Sequence, residues 1–367
     1  VIEKAEVYIK GRFLAQQLTG VQRYSHEILT AIDSLIDSKT VCLPYKLVVL
    51  VPPGVKETPA WAHIEVRVIG THSNLLWEQW DLPRAVGKNL LISLGGMPSV
   101  LRKKQIAVLH DAAVFDVSGG YTRSFTYLYR LTYRIAALRK SALATVSKFS
   151  RGRLSLALHV PGETISIVYP GADQMEHVRE DLGIFSRVPE LQRGKYVLSV
   201  GSLSPNKNFK EIVEAARQTE SAGMQYAVVG ERKGNVYATN AAESIPSNMI
   251  WLGYVSDREL KALYMEASCF VFPSLYEGFG SPPLEAMSCG CPVITSNAAS
   301  IPEVCGDAAL YFDIQAPGQL AEKVLRLFAD DDLRLELIEK GKQRSRLFTY
   351  NNSALSLLQV IDTVLEL

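Results

Sequence analysis

Nowhere in its 367 residues does the chain hold an apolar run near the roughly 20 residues that a membrane-spanning helix requires. Val1–Lys10 reads as a charged lead into a strand and not as a signal peptide. The five cysteines (Cys42, Cys269, Cys289, Cys291, Cys305) are odd in number and contain no Cys-x-x-Cys pair. That excludes a disulfide framework and a zinc ribbon and leaves reduced thiols in a cytoplasmic protein as the expectation. No repeat or low-complexity tract is present, which excludes solenoids. A dinucleotide-dependent dehydrogenase needs Gly-x-Gly-x-x-Gly after a first strand, and Gly201-Ser202-Leu203-Ser204 does not supply it. The acidic triplet Asp330-Asp331-Asp332 stands at a helix boundary away from every other motif and reads as solvated surface, not as a metal site.

What is there is an ordinary globular balance, 47% apolar and 21% charged. The length suits two domains of roughly 170–180 residues. A net charge of +1 conceals an asymmetry: residues 1–175 hold 21 Lys/Arg against 13 Asp/Glu, and the remainder holds 18 against 25. The basic half suits an anionic surface or acceptor, although charge also varies between domains without consequence.

Short β-branched runs alternate with longer helical patterns throughout. Strands are expected at 6–9, 47–51, 65–69, 90–93, 106–109, 144–146 and 165–168, then at 196–200, 226–229, 249–252, 269–272, 293–295 and 309–312. Helices are expected between them at 22–35, 75–85, 123–139, 148–158, 209–218, 258–267, 284–289 and 317–328. Such alternation predicts α/β architecture with two doubly wound parallel sheets. The polar stretch 173–194 has no clear period, so the boundary is placed there: residues 1–172 form the first domain and 173–352 the second. Residues 353–367 read as an apolar helix that needs another surface to cover it. Ligands of such sheets bind beyond the carboxyl ends of the strands, so chemistry-bearing residues should follow strands.

They do. Phe272-Pro273-Ser274-Leu275-Tyr276-Glu277-Gly278-Phe279-Gly280-Ser281-Pro282-Pro283-Leu284-Glu285-Ala286-Met287 follows an apolar strand. Gly278 and Gly280 permit positive φ and close approach of a ligand. Ser281 suits an N-cap, Pro282 the first helical position and Gly290 the stop. A glycine loop thus turns into a helix whose start suits an anion such as a diphosphate. Glu277 and Glu285 beside that site make better acceptors for sugar and ribose hydroxyls than partners of phosphate. A Gly-rich strand-to-helix turn with a stray Glu is also a common structural feature.

Glu277 and Glu285 match the Glu-x7-Glu signature of retaining GT-B glycosyltransferases of family 4 (group 1), and the surrounding residues, through Gly290-x-Pro292-Val293-Ile294 and Ser300-Ile301-Pro302-Glu303-Val304, resemble that family too. The resemblance implies two Rossmann-like domains facing a cleft, with a C-terminal helix returning to the N-terminal, acceptor-binding domain. It implies that Glu277 holds the transferred hexose, that Glu285 holds the ribose, and that the Phe279–Ser281 amides face the phosphates.

In the family, the Lys in the position of Lys207, within Val200-Gly201-Ser202-Leu203-Ser204-Pro205-Asn206-Lys207, binds the leaving diphosphate. Many members carry Arg where this chain has Ser202, and Arg12 and Arg23 are candidates to compensate. Tyr254, in Leu252-Gly253-Tyr254, resembles the segment bordering the base. Gly20, in Leu18-Thr19-Gly20-Val21-Gln22-Arg23-Tyr24, corresponds to a loop that closes over the donor. His110, in Val108-Leu109-His110-Asp111, corresponds to a functional His at a strand end, with Asp111 orienting it or capping the next turn; Arg23, His110 and Asp111 are the acceptor-side candidates. Ser147 matches a family Ser at another strand end and reads as structural.

The family retains anomeric configuration without a metal, so no cofactor is expected beyond the nucleotide-sugar donor. The overall wording, Thr19-Gly20-Val21-Gln22-Arg23-Tyr24 with Ser202 rather than Arg, resembles bacterial mannosyl- and related transferases of O-antigen and capsule clusters. It favours GDP-mannose, with UDP-sugars next and a non-transferring binder or epimerase of the same fold as the other reading. Residues 121–153 interleave basic residues with Phe125, Tyr127, Tyr129 and Tyr133. This suits peripheral contact with an anionic membrane and a lipid-diphosphate-linked acceptor, or simply a solvated basic face. No nucleic-acid motif accompanies the charge.

Overall fold

The computed structural model describes residues 4–117, 121–201, 204–230 and 245–366. It divides into two units, residues 1–171 with 350–367, and residues 172–349.

The first unit holds β1 (Ala5–Lys10), β2 (Tyr45–Val51), β3 (Ile64–Val68), β4 (Leu90–Ser93), β5 (Gln105–Val108), β6 (Ala142–Thr145) and β7 (Ile165–Ile167). They form one parallel sheet in the order β3-β2-β1-β4-β5-β6-β7. The second unit holds β8 (Tyr196–Val200), β9 (Gln225–Val229), β10 (Met249–Gly253), β11 (Cys269–Phe272), β12 (Val293–Ser296) and β13 (Ala309–Phe312). Its parallel order is β10-β9-β8-β11-β12-β13. Every residue of β4, β5, β11 and β12 is buried, as strands covered by helices on both faces must be.

Each sheet reverses its winding once, between β1 and β4 in the first unit and between β8 and β11 in the second. Chains leaving the carboxyl ends of these neighbours diverge to opposite faces and open a crevice. The loops after β1, β4 and β5, and after β8 and β11, therefore occupy the two places where this architecture takes ligands.

Several expected elements change. The helix expected over 75–85 forms over 75–86, but its middle, Trp77–Asp81, is a π turn, with the regular helix Leu82–Val86 beyond it. Pro83 has no N–H, and Leu82 N–H reaches back to the Trp77 carbonyl instead of continuing the regular ladder. The stretch 173–194 contains two short helices, Gln174–His177 and Gly183–Arg187. A further helix, Asp331–Ser345, has no apolar stripe in its sequence; Asp330 caps it, accepting from Leu333 N at 2.9 Å. The acidic triplet is thus a cap and first turn.

The last helix, Tyr350–Leu365, packs against the helix Gly20–Asp37 in the first unit. It buries Ala354, Leu357, Leu358 and Ile361, and Tyr45 Oη donates to Asp362 Oδ1 at 3.2 Å. No helix of the described residues is long and apolar enough to cross a membrane.

Candidate functional site

In the second unit the β8 and β11 loops are bound to one another. Leu275 N donates to the Asn206 carbonyl at 2.7 Å, and Asn206 Nδ2 donates to the Tyr276 carbonyl at 3.4 Å. This brings Lys207 to Glu277: Nζ donates to Oε1 at 2.6 Å, with side-chain exposures of 24% and 14%. Lys207 Nζ also stands 5.2 Å from the centre of the Phe272 ring. Lys207 does not open the next helix; it ends a 3-10 turn, Pro205–Lys207, and Asn208 in the left-handed region separates it from the helix Phe209–Gln218.

The Glu277 loop is pinned from β12 and its continuation. Thr295 Oγ1 donates to the Phe272 carbonyl at 2.8 Å, and Ser296 Oγ to the Ser274 carbonyl at 2.5 Å. Ser300 Oγ lies 3.0 and 2.9 Å from the Glu277 and Phe279 carbonyls, between which its one proton is shared. Beside this, Gly201 follows β8, and a Cβ on Gly230 would fall 2.2 Å from the Gly201 carbonyl oxygen. Gly230 N in turn donates to the Gly253 carbonyl at 2.9 Å. Three adjacent strand ends thus close on glycine, and at Gly230 no side chain fits.

The helix after the loop is Ser281–Ser288, and its N-cap is Gly280 at φ 90°, not Ser281 as expected. Pro282 and Pro283 lack N–H groups, so two of the four donors that a helix start normally leaves unpaired are missing. The amides of Gly280 and Ser281 are the donors left at that end, a narrower anion site than a four-donor helix start. Gly278 lies in the loop between Glu277 and Phe279, whose ring is buried against Phe348 at 5.5 Å, so only its backbone is available for a ligand.

Glu285 is buried at 8% exposure and accepts from Gln174 Nε2 at 2.8 Å. Burial first, and the Glu285 carboxylate second, push the Tyr264 phenol well above its ordinary range. Tyr254, just past β10, is exposed. Ser202 lies outside the described residues. Asn206, Gln174, Gly230 and Ser300 were not singled out by sequence; only their places after strands or inside family-like stretches pointed to them.

In the first unit a cavity of about 260 Å³ opens beyond β1, β4 and β5. Lys10 is buried there; Nζ donates to the Met97 carbonyl at 2.8 Å and pairs with Glu78 at 3.5 Å, and Arg12 binds the other Glu78 oxygen. Arg12 is therefore paired with Glu78. Opposing cations hold the Glu78 carboxyl below its usual range against the burial that acts most strongly on it.

His110 lines the same cavity. Its Nε2 is 2.8 Å from the Leu94 carbonyl, which fixes Nε2 as the protonated nitrogen, and burial lowers its pKa so that it stays neutral. Tyr24 meets the ring edge-on at 4.9 Å. A Cβ on Gly95 would meet Val21 Cγ1 at 2.4 Å and His110 Nε2 at 3.3 Å. Asp111 Oδ1 accepts from Ala113 N at 2.8 Å, so of its two expected roles it takes the cap. Gly20 is the first residue of the helix Gly20–Asp37 and has open space around it. Arg23 sits in the first turn of that helix and is not among the residues lining the cavity. Ser147 caps the helix Lys148–Leu158, accepting from Ser150 N at 2.9 Å.

The basic, aromatic stretch divides. In the helix Arg123–Leu138, Phe125, Tyr129 and Tyr133 turn to the cavity, joined by Tyr121, whereas Tyr127 is 70% exposed. Arg130 is spent on the Val114 carbonyl and sits over the Phe115 ring.

Two parallel sheets of this order, with a Lys–Glu pair and a glycine loop at the second switch point, define a GT-B glycosyltransferase architecture. Residues 184–344 match the family model described as "Glycosyl transferases group 1". The chain is a glycosyltransferase with a group 1 glycosyltransferase domain over those residues. It is 29% identical over 265 residues to O-antigen chain mannosyltransferase B of Escherichia coli, covering 68% of each chain. It is 25% identical to O-antigen chain mannosyltransferase RfbU of Salmonella typhimurium, covering 81% of this chain and 84% of that one. Against the serotype-specific mannosyltransferase WbdA of Escherichia coli it is 28% identical but spans only 27% of that protein's length. Among solved structures, WaaG, a glycosyltransferase involved in lipopolysaccharide biosynthesis, superimposes with a TM-score of 0.66 at 18% identity over 98% of both chains. Anabaena Alr3699/HepE, solved with UDP, gives 0.67 at 15% over 98% of this chain and all of that one.

Proposed function

We propose that this glycosyltransferase moves mannose from GDP-mannose, with retention of anomeric configuration, to a saccharide or lipid-linked saccharide acceptor in the synthesis of an O-antigen or capsule type of polysaccharide. The observation that carries the site is the Lys207–Glu277 pair where the β8 and β11 loops join. The mannose assignment is supported by the named mannosyltransferase relatives.

In this reading the diphosphate lies against Lys207 and the Gly280 and Ser281 amides. Glu277 accepts from hydroxyls of the hexose, and Glu285, held by Gln174, from the ribose; Tyr254 borders the base. As the glycosidic bond breaks, the sugar gains oxocarbenium character and negative charge grows on the leaving phosphate. Lys207 and the two amides are fixed where that charge appears, and one such donor contributes about 3–4 kcal/mol, a factor of roughly 10²–10³ in rate. The acceptor hydroxyl enters on the face the phosphate leaves, and the phosphate takes its proton. Glu277 serves as an acceptor for hydroxyls and not as a nucleophile, and no metal is required. The acceptor belongs to the first unit, with His110 as a neutral hydrogen-bonding group. The protein acts in the cytoplasm, and a lipid-linked acceptor would bring the outward basic face around Arg123 and Tyr127 to the membrane surface.

A second reading, a UDP-sugar donor, is favoured by the UDP bound to Alr3699/HepE. Thermal shifts with GDP, UDP, ADP and dTDP in excess chelator decide between them. GDP is expected to raise the midpoint most, without added metal. Stabilisation by UDP and not by GDP would replace the mannose assignment, and a response only after adding a divalent ion would remove metal independence.

A further inference from the structure

The chain passes from one unit to the other twice, at 171/172 and at 349/350. The two passages are bonded to one another within each unit. In the first, Ser353 Oγ donates to the Tyr169 carbonyl; in the second, Ala172 N donates to the Phe348 carbonyl at 3.0 Å. Within the second unit each passage also reaches one of the segments that carry the paired glutamates. Gln174, just beyond the first passage, donates from Nε2 to Glu285 Oε1 at 2.8 Å. Phe348, just before the second, meets the Phe279 ring edge-on at 5.5 Å. All four side chains are buried.

Phe348 is itself held in place. The Arg344 guanidinium lies 5.0 Å from its ring centre and donates to the Val304 carbonyl at 2.8 Å and the Glu303 carbonyl at 2.5 Å. Those carbonyls belong to the short helix Ile301–Cys305, and Ser300, just before that helix, holds the Glu277 and Phe279 carbonyls. The glycine loop is thus gripped twice, by its backbone from Ser300 and by its ring from Phe348, and both grips lead to residues 344–348. Neither ring belongs to the cluster around Phe312 and Val324 that fills the sheet-and-helix core of this unit. Phe279 stands between Gly278 and Gly280, the residue type that restrains a backbone least, and it is the one aromatic residue from 277 to 287. Its ring is therefore an anchor for the loop more than a part of the core.

From this geometry we infer that Phe348 is a positioning residue for the glycine loop, acting through Phe279, and that with Gln174 it braces the donor-side segments on the two chain passages. Loop and passages are then ordered together: what steadies one steadies the other, and the linkage is reciprocal. Neither Phe348 nor Gln174 needs to touch the sugar for this. The brace rests on the contacts alone; its meaning for the donor rests on the glycosyl-transfer reading of the loop, not on which base or sugar is taken.

Amide hydrogen exchange of the full chain, read on peptides by mass spectrometry, tests this together with calorimetric titration of GDP and UDP. Without nucleotide, Phe348→Leu is expected to speed exchange about threefold to tenfold at 277–283 and at 169–174. Phe279→Leu, which cuts the same contact from the loop side, should do so at 346–350. Val213→Ala truncates a buried side chain elsewhere in the same unit and should leave these stretches unchanged, which separates bracing from a general loss of stability. In wild type the nucleotide that binds should slow exchange at 169–174 and 346–350 as well as at 277–289. Phe348→Leu should weaken that nucleotide about threefold to tenfold, and the double variant with Phe279→Leu no more than either single one. Unchanged exchange at 277–283 in Phe348→Leu, equal loosening by Val213→Ala, additive losses in the double variant, or protection of 277–289 without the passages would overturn the inference. If neither nucleotide binds while Phe348→Leu still loosens 277–283 and 169–174, the donor assignment is refuted and the brace stands.

Discussion

Gln174 and Glu285 meet across 111 positions of sequence, and that contact fixes the orientation of a buried carboxylate. A carboxylate out of water is tolerated only while it is hydrogen-bonded. Replacing Gln174 by Leu removes one donor and leaves the charge, so the second unit should lose about 1–3 kcal/mol. Chemical denaturation of wild type and variant checks this, and an unchanged midpoint would mean Glu285 is held by other groups. Nothing in the sequence announced Gln174, which lies in a stretch that reads only as polar linker. Glu285 itself was legible because its spacing from Glu277 and the helix signals around it are local. The Arg12–Glu78 pair was not legible for the converse reason: the two residues lie 66 positions apart.

At the scale of elements, the strand–helix alternation was legible almost throughout, because buried parallel strands leave short β-branched runs and amphipathic helices leave apolar faces. Asp331–Ser345 escaped because its sequence is polar on nearly every face, and the π turn at Trp77–Asp81 because it depends on how Pro83 interrupts the ladder. The helix after the glycine loop was placed correctly but capped one residue late. Gly280, at φ 90°, takes the cap position that Ser281 was expected to fill. Gly280→Ala should therefore cost about 1–2 kcal/mol through backbone strain alone. It should also raise the KM for the nucleotide sugar, since one of the two remaining amides moves. A variant with unchanged stability and unchanged KM would remove Gly280 from the account.

At the scale of the molecule, the charge asymmetry read from sequence falls mainly on the first unit, yet its strongest aromatic signal does not point outward. A stretch that looked like a membrane-facing helix spends most of its rings on a cavity. Only the side-chain directions in the fold separate those two uses, because both place basic and aromatic residues on one helix. The relatives named above support mannosyl transfer, and the donor assignment rests on Lys207 and Glu277 having different tasks at one site.

Calorimetric titration of GDP and GDP-mannose into wild type, Lys207→Met and Glu277→Gln tests that division most directly. The account predicts that Lys207→Met weakens both ligands alike, because it removes a phosphate contact. It predicts that Glu277→Gln weakens GDP-mannose and leaves GDP nearly unchanged, because it removes a contact to the hexose. Wild-type affinities in both variants, or an equal loss of GDP and GDP-mannose in Glu277→Gln, would contradict it.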